Sequence, residues 1–250
     1  MPTPRTVTLF VQCLVDALHP AAAEAMVSVL TRLGFTLDYR GEQTCCGQPA
    51  FNAGFRRDAA KAARHCIEVF ESAALVVCPS GSCVHMVRRH YPELFARDPR
   101  WLARAEALAA RTFEFTEFLV DVAGVADLGA AYAGTVTYHD SCHLARGLGI
   151  RRQPRLLLEK VAGLTLREMA DSDACCGFGG SFSVKFPELS EAVLEDKLAS
   201  ILATGAGAVV GCDLGCLLNI EGMLHRRGHP VRALHIAEIL AGTANGEGAA

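Results

Sequence analysis

The chain repeats itself. The segment around Cys13, FVQCLVDAL, is answered 129 positions later by YHDSCHLARGL around Cys142. Cys45-Cys46-Gly47 returns as Cys175-Cys176-Gly177 at an offset of 130. ALVVCPSGSCVHM returns as GAVVGCDLGCLLNI at 133, which sets Cys83 on Cys216. So small a drift over a whole half means two copies of one unit. The fold must therefore be one that a segment of about half the chain can build twice.

Each copy alternates strand and helix. TVTLFV (6–11) reads as a buried strand ending just before Cys13, and PAAAEAMVSVLTRLG has helical spacing with Gly34 at its stop. FTLDY (35–39) is a second strand leading to the first Cys-Cys-Gly. A helix over 56–72 precedes ALVV (74–77), a third strand that runs into the loop holding Cys83. The second copy repeats this with GTVTYH before Cys142, a helix near 151–162, LTLREM before Cys175, a helix near 188–203, and GAVVG before Cys216. The pattern predicts an α/β fold of two pseudo-repeated parallel βαβ-type halves. The cysteine-bearing loops then lie at the C-terminal ends of strands, where such folds build their sites. The expected division is a first cysteine-rich repeat over 1–128, ending in a helical bridge over 92–128; a second over 129–241; and a flexible tail over 242–250.

The same alignment sorts the 11 cysteines. Cys13, Cys45, Cys46 and Cys83 correspond to Cys142, Cys175, Cys176 and Cys216. Cys66 has no counterpart and reads as a small buried apolar residue in a helix. Cys78 falls opposite Gly211, and Cys212 opposite Pro79; each sits close to an aligned cysteine and could be an auxiliary ligand. The start of the chain lacks a signal-peptide layout, and no stretch reaches the roughly 18 apolar residues of a membrane span. A cytoplasmic setting is expected, where disulfides are disfavoured. A net charge of −3 gives no reason to expect nucleic acid or an anionic membrane surface. Cysteine usage therefore points to metal ligation or redox chemistry.

Four soft thiolates suit zinc or an iron–sulfur cluster. The chain has no Cys-x2-Cys pair, the usual unit of structural zinc sites and of thioredoxin-like redox motifs. Side chains of adjacent cysteines diverge, which suits several metal atoms better than one tetrahedral ion. Gly47, Gly177, Gly179 and Gly180 would let backbone N–H groups approach the sulfurs, although a tight turn needs glycine as well. Zinc in one half remains an alternative. His139 and His143 flank Cys142 and could donate to sulfur, ligate, or act as a base; the simpler reading is a strand-end and a helix-start histidine. Lys185, Arg146 and the pairs Arg56-Arg57, Arg88-Arg89 and Arg151-Arg152 could hold a carboxylate, with nothing to choose among them. Ser80 and Ser82 could bond thiolates or serve a turn, and Asp16 and Asp140 read as helix caps.

The duplicated pattern Cys…Cys-Cys-Gly…Cys resembles the cysteine-rich CCG domain family, which includes a component of heterodisulfide reductase and the iron–sulfur subunits of glycolate and glycerol-3-phosphate oxidoreductases. CLVDAL, TCCGQPAFNAG, CPSGSC, HDSCHLARGLG, ACCGFGGSFSVKFPELS, CLLNIEG and VRALHIAEIL are similar to the lactate utilization A branch of that family. The resemblance implies [4Fe–4S] clusters, two in number and of cubane or non-cubane type. It also implies work alongside lactate utilization proteins B and C in oxidising L-lactate, a small 2-hydroxy acid, to pyruvate. A heterodisulfide-reductase-like thiol enzyme, a zinc-stabilised assembly subunit, and the same role with glycolate are the alternatives. One departure stands out. The reductase pattern closes each half with Cys-x2-Cys, giving five cysteines per cluster, whereas this chain has Cys78-x4-Cys83 and Cys212-x3-Cys216.

Overall fold

The computed structural model describes residues 5–244. Eight strands form two all-parallel sheets. The first contains β1 (Thr6–Leu9), β2 (Thr36–Tyr39), β3 (Val76–Cys78) and β4 (Thr112–Glu114) in the order β2-β1-β3-β4. The second contains β5 (Ala131–Tyr138), β6 (Ala162–Leu166), β7 (Ala208–Gly211) and β8 (Arg232–His235) in the order β6-β5-β7-β8. The two orders are the same topology written twice, as the duplicated sequence requires. Register agrees as well: Thr8 and Leu9 face Val76 and Val77 in one sheet, and Val136, Thr137 and Tyr138 face Ala208, Val209 and Val210 in the other. In each sheet the chain leaves the first strand on one side and returns on the other. A crevice opens there beyond the carboxyl ends of the strands.

Two strands depart from the expectation. The 92–128 bridge is not helical throughout: after the helix Pro99–Ala109, residues Thr112–Glu114 add a fourth strand beside β3, and only then does helix resume at Phe115. β8 plays the equivalent part in the second sheet. Both are edge strands with polar or charged residues in a short run, so neither shows the apolar signature by which strands are recognised. Of the expected tail, residues 245–250 lie outside the described residues. Ala244 is buried, and its carbonyl accepts from Arg232 Nη2 at 3.0 Å.

The halves share a core. Val7, Leu9, Val29, Leu30, Phe115 and Phe118 pack in one cluster with Tyr132, Val136, Tyr138, Leu157, Val210, Ile236 and Leu240. The last helix, Ile236–Ala241, lies against the helix Pro20–Arg32. Arg32 donates to the carbonyls of Leu240 and Ala241 at 2.8 and 3.1 Å, and His19 Nε2 meets Glu238 Oε2 at 3.0 Å. Among the described residues, no helix is long and apolar enough to cross a membrane.

Candidate functional site

The loops at the carboxyl ends of the strands bring the aligned cysteines together. In the first half, thiol contacts run from Cys13 to Cys45, from Cys45 to Cys46, and from Cys46 to Cys83. Cys78, at the end of β3, extends the chain through a contact with Cys83. In the second half, Cys175 touches Cys176 and Cys176 touches Cys216. Cys142 lies close enough for the charges on Cys175 and Cys216 to be felt. Cys66 is buried in the core, where loss of water pushes its thiol up to about 12.

Cys212 does not join its set. Its partner is the Tyr138 hydroxyl at 3.2 Å, and it packs in the core shared by the halves. The auxiliary role expected for Cys78 and Cys212 alike therefore finds a matching geometry in Cys78 only.

The repeated Cys-Cys-Gly has a local cause. Gly47 and Gly177 adopt φ of +84° and +76°, a left-handed backbone that L side chains resist. That turn aims the Gly47 N–H at Cys45 Sγ (3.4 Å) and the Gly177 N–H at Cys175 Sγ (3.3 Å). The carbonyl of the second cysteine is held too, by the Tyr91 hydroxyl on Cys46 (3.0 Å) and by Asn219 Nδ2 on Cys176 (2.8 Å). A Cβ at Gly47 would come within 3.0 Å of the Ala62 methyl, whereas one at Gly177 would lie 2.5 Å from the Ser190 carbonyl oxygen. Gly47→Ala is expected to destabilise by about 1–2 kcal/mol, the cost of left-handed backbone. Gly177→Ala adds a backbone clash and should cost roughly 1 kcal/mol more. Urea midpoints measured side by side would show that order, and equal midpoints would contradict it.

Both cysteine sets open into one cavity of about 300 Å³ between the halves, lined by Cys13, Cys45, Cys46 and Cys83 from one and Cys142, Cys175, Cys176 and Cys216 from the other. Asp213 sits at the seam. Its Oδ1 accepts from Ser80 Oγ at 2.9 Å and from the Ser82 N–H at 2.8 Å, both in the first half, and its Oδ2 accepts from Ser141 Oγ in the second. His235 Nε2 meets the Pro79 carbonyl at 3.0 Å close by. The sequence reading does not single out Asp213. A signal exists: the offset of 133 sets Asp213 on Ser80, and equivalent positions near a pseudo-twofold axis meet each other.

The remaining candidates divide. Ser80 caps the helix Gly81–His85 as well as bonding Asp213. Asp140 is not a cap but is buried against Arg155, at 3.0 and 2.7 Å, and Ser172. The cap before Cys13 is Gln12 rather than Asp16. Arg88 is engaged by Glu117, Arg151 by Asp173, Arg146 by the Asp173 carbonyl, and Arg56 lies over the Phe51 ring. None of these arginines lines the cavity, and neither does Lys185. His143 Nδ1 is 3.6 Å from Cys142 Sγ. His139 is fully buried, and burial together with the Lys197 ammonium pushes it down to about 4 against the pull of Asp213 and Asp140.

The donor set fits a soft metal or an iron–sulfur cluster. In a contiguous row of thiols, contact with Cys45 and burial push Cys13 far up, while hydrogen bonds from Cys13 and Cys46 hold Cys45 far down. One thiolate is thus shared, and a second would face it without compensation. Among the described residues the cavity lining contains neither Lys nor Arg to supply that compensation. A bound cation would supply it.

Comparison with known proteins agrees with this geometry. The model of the cysteine-rich (CCG) domain family matches residues 7–88 and 136–221, one match per half. A lactate utilization protein A of Exiguobacterium sp. is 51% identical over 236 residues, covering 94% of this chain and 96% of that protein. This chain belongs to the lactate utilization protein A family. A further member, from Bacillus cytotoxicus, is 49% identical over 94% of the chain and 98% of its own length. A solved structure of a hypothetical protein from Helicobacter pylori shares the fold, with a TM-score of 0.62 at 11% identity over 98% of this chain and 50% of that one. The eight cysteines that line the cavity all fall within the two matched regions.

Proposed function

We propose that this chain is an iron–sulfur electron-transfer subunit of a multi-protein system that oxidises L-lactate to pyruvate. The observation that carries the reading is the convergence of two four-cysteine sets on one cavity. Cys13, Cys45, Cys46 and Cys83 would hold one [4Fe–4S] cluster, with Cys78 beside them, and Cys142, Cys175, Cys176 and Cys216 the other. Bound clusters would supply one-electron acceptor and donor chemistry. Lactate gives up two electrons and two protons in becoming pyruvate, so a pair of one-electron centres matches its stoichiometry.

The chain's own residues position and tune. Gly47 and Gly177 point N–H groups at the first sulfur of each adjacent pair, and Tyr91 and Asn219 donate to the backbone carbonyl of the second cysteine. Asp213 locks the loops of the two halves together. With no Lys or Arg in the lining and a carboxyl group at the seam, the cavity is unsuited to a lactate carboxylate. That supports assigning substrate contact to partner polypeptides, lactate utilization proteins B and C, and only electron passage to this chain. Zinc in the second half is the second reading, favoured by His139, Cys176 and Cys216 lying together, a donor set that zinc also takes.

The test is the iron, sulfide and zinc content, with an EPR spectrum, of protein purified without oxygen. About eight irons per chain are expected for two [4Fe–4S] clusters. Cys83→Ser and Cys216→Ser should each remove half of that iron. Zinc at one or two per chain, with no iron retained after anaerobic reconstitution, would overturn the redox reading.

A further inference from the structure

We infer that His139 is a ligand of the metal group in the second half, the counterpart there of Cys78 in the first. The inference rests on the reading that each cysteine set binds a metal group. Three observations lead to it. The ligand atoms of His139, Cys176 and Cys216 all lie within 4.8 Å of one another. His139 is 1% exposed, and both of its ring nitrogens are buried without a hydrogen-bond partner. A buried polar ring left unpaired on both nitrogens is costly, and the polar groups around it are committed elsewhere: Asp213 to Ser80, Ser82 and Ser141, Asp140 to Arg155 and Ser172, and the nearby Ser172 carbonyl to the Asp140 N–H and the Lys197 ammonium. The backbone is fixed by the His139 N–H donating to the Val210 carbonyl at 2.8 Å.

The duplication supplies the third observation. The offset of 129 sets His139 on Phe10, and the offset of 133 sets Cys78 on Gly211. Phe10 and Gly211 have no donor side chain. Each half therefore has a fully buried extra donor that the equivalent position of the other half lacks, and the two stand at the ends of strands that hold adjacent places in the repeated sheet order. Cys78 ends β3, and His139 follows directly on β5, whose sheet partner β7 ends at Gly211. One site is all-thiolate and the other mixes thiolates with an imidazole. Replacing thiolate by imidazole raises the reduction potential of an iron–sulfur centre. The second-half centre would thus be reduced before the first.

The experiment is pulsed EPR on the full chain, reduced after anaerobic reconstitution with iron and sulfide and labelled with 15N-histidine. A strongly coupled histidine nitrogen is expected, lost in His139→Cys and retained in His143→Ala. His139→Cys should keep its iron, and redox titration should show one of two potentials moved downward. His139→Phe, which copies Phe10, should hold less iron. If the chain takes up zinc alone, X-ray absorption should find one nitrogen in the zinc shell, lost in His139→Cys. That result would keep the ligand while removing the redox function. Metal bound in the second half with no coupled nitrogen, or a coupling that disappears in His143→Ala instead, would overturn the inference alone. A chain that binds no metal would overturn both.

Discussion

Asp213→Ala is expected to lower the stability of the chain by roughly 3–5 kcal/mol, from three buried donors losing their acceptor at about 1–3 kcal/mol each. The donors are the Ser80 and Ser141 hydroxyls and the Ser82 N–H. Ser80 Oγ has a second neighbour in Ser82 Oγ at 3.0 Å and can turn to it, which keeps the sum below its upper bound. Asp213→Asn should recover part of the loss. Its carbonyl can still accept from Ser80 and Ser82, but its amide presents a donor to Ser141. Urea denaturation at neutral pH measures both. A loss under about 1 kcal/mol for the alanine variant would mean that the seam is held by the apolar core rather than by this carboxyl group.

Glu114 should make stability fall as pH rises. It ends β4 fully buried, and burial pushes its carboxyl up to about 8, outweighing hydrogen bonds from Thr116 and Glu117. Its Oε1 is buried without a partner, a poor place for negative charge. Below the ordinary glutamate value, near 4.5, folded and unfolded forms are both protonated and the group contributes nothing. Above it the unfolded chain ionises while the folded chain stays neutral until about pH 8. Stability is lost across that window, by roughly 3–5 kcal/mol in all. Glu114→Gln cannot ionise. The stability difference between Glu114→Gln and the parent should be flat below the window, grow in favour of the variant through it, and level off beyond. Measuring the difference matters, because every other group that titrates in that range cancels between the two proteins. A difference that stays constant with pH would show that Glu114 is ionised in the folded chain.

Much of this fold was legible because it is written twice. The six strands found from the sequence are those with apolar runs or clear alternation. The two missed, Thr112–Glu114 and Arg232–His235, carry a buried Glu and a buried His, so their polarity hid them. The eight aligned cysteines reach one cavity because each lies in a segment that leaves the carboxyl end of a strand, in a loop or the first turn of the helix that follows. Cys78 and Cys212 looked alike in sequence, each a few residues before an aligned cysteine, yet they part ways. Cys78 aligns with Gly211, so Cys212 stands one residue further along. Successive residues of an extended chain point to opposite faces, and that single step sends one sulfur to Cys83 and the other to Tyr138. How the halves dock is set by side chains distant in sequence, which is why Asp213 and the unpaired ring of His139 emerged only in three dimensions.

The shared cavity bears on how such a chain can evolve. The two halves pack reciprocally, the helix after β8 against Pro20–Arg32 and the helix after β4 against Arg152–Leu158, as two copies of a smaller protein would. A dimer of identical chains must present the same residues on both sides of its axis, so any change at one site is imposed on the other. Joining the copies in a single chain lifts that restriction. Each half can then alter a strand end by itself, and this one has done so: cysteine after valine in one sheet, glycine in the other; phenylalanine in one, histidine in the other. Carried on one chain, two equivalent sites can differ while still facing the same space.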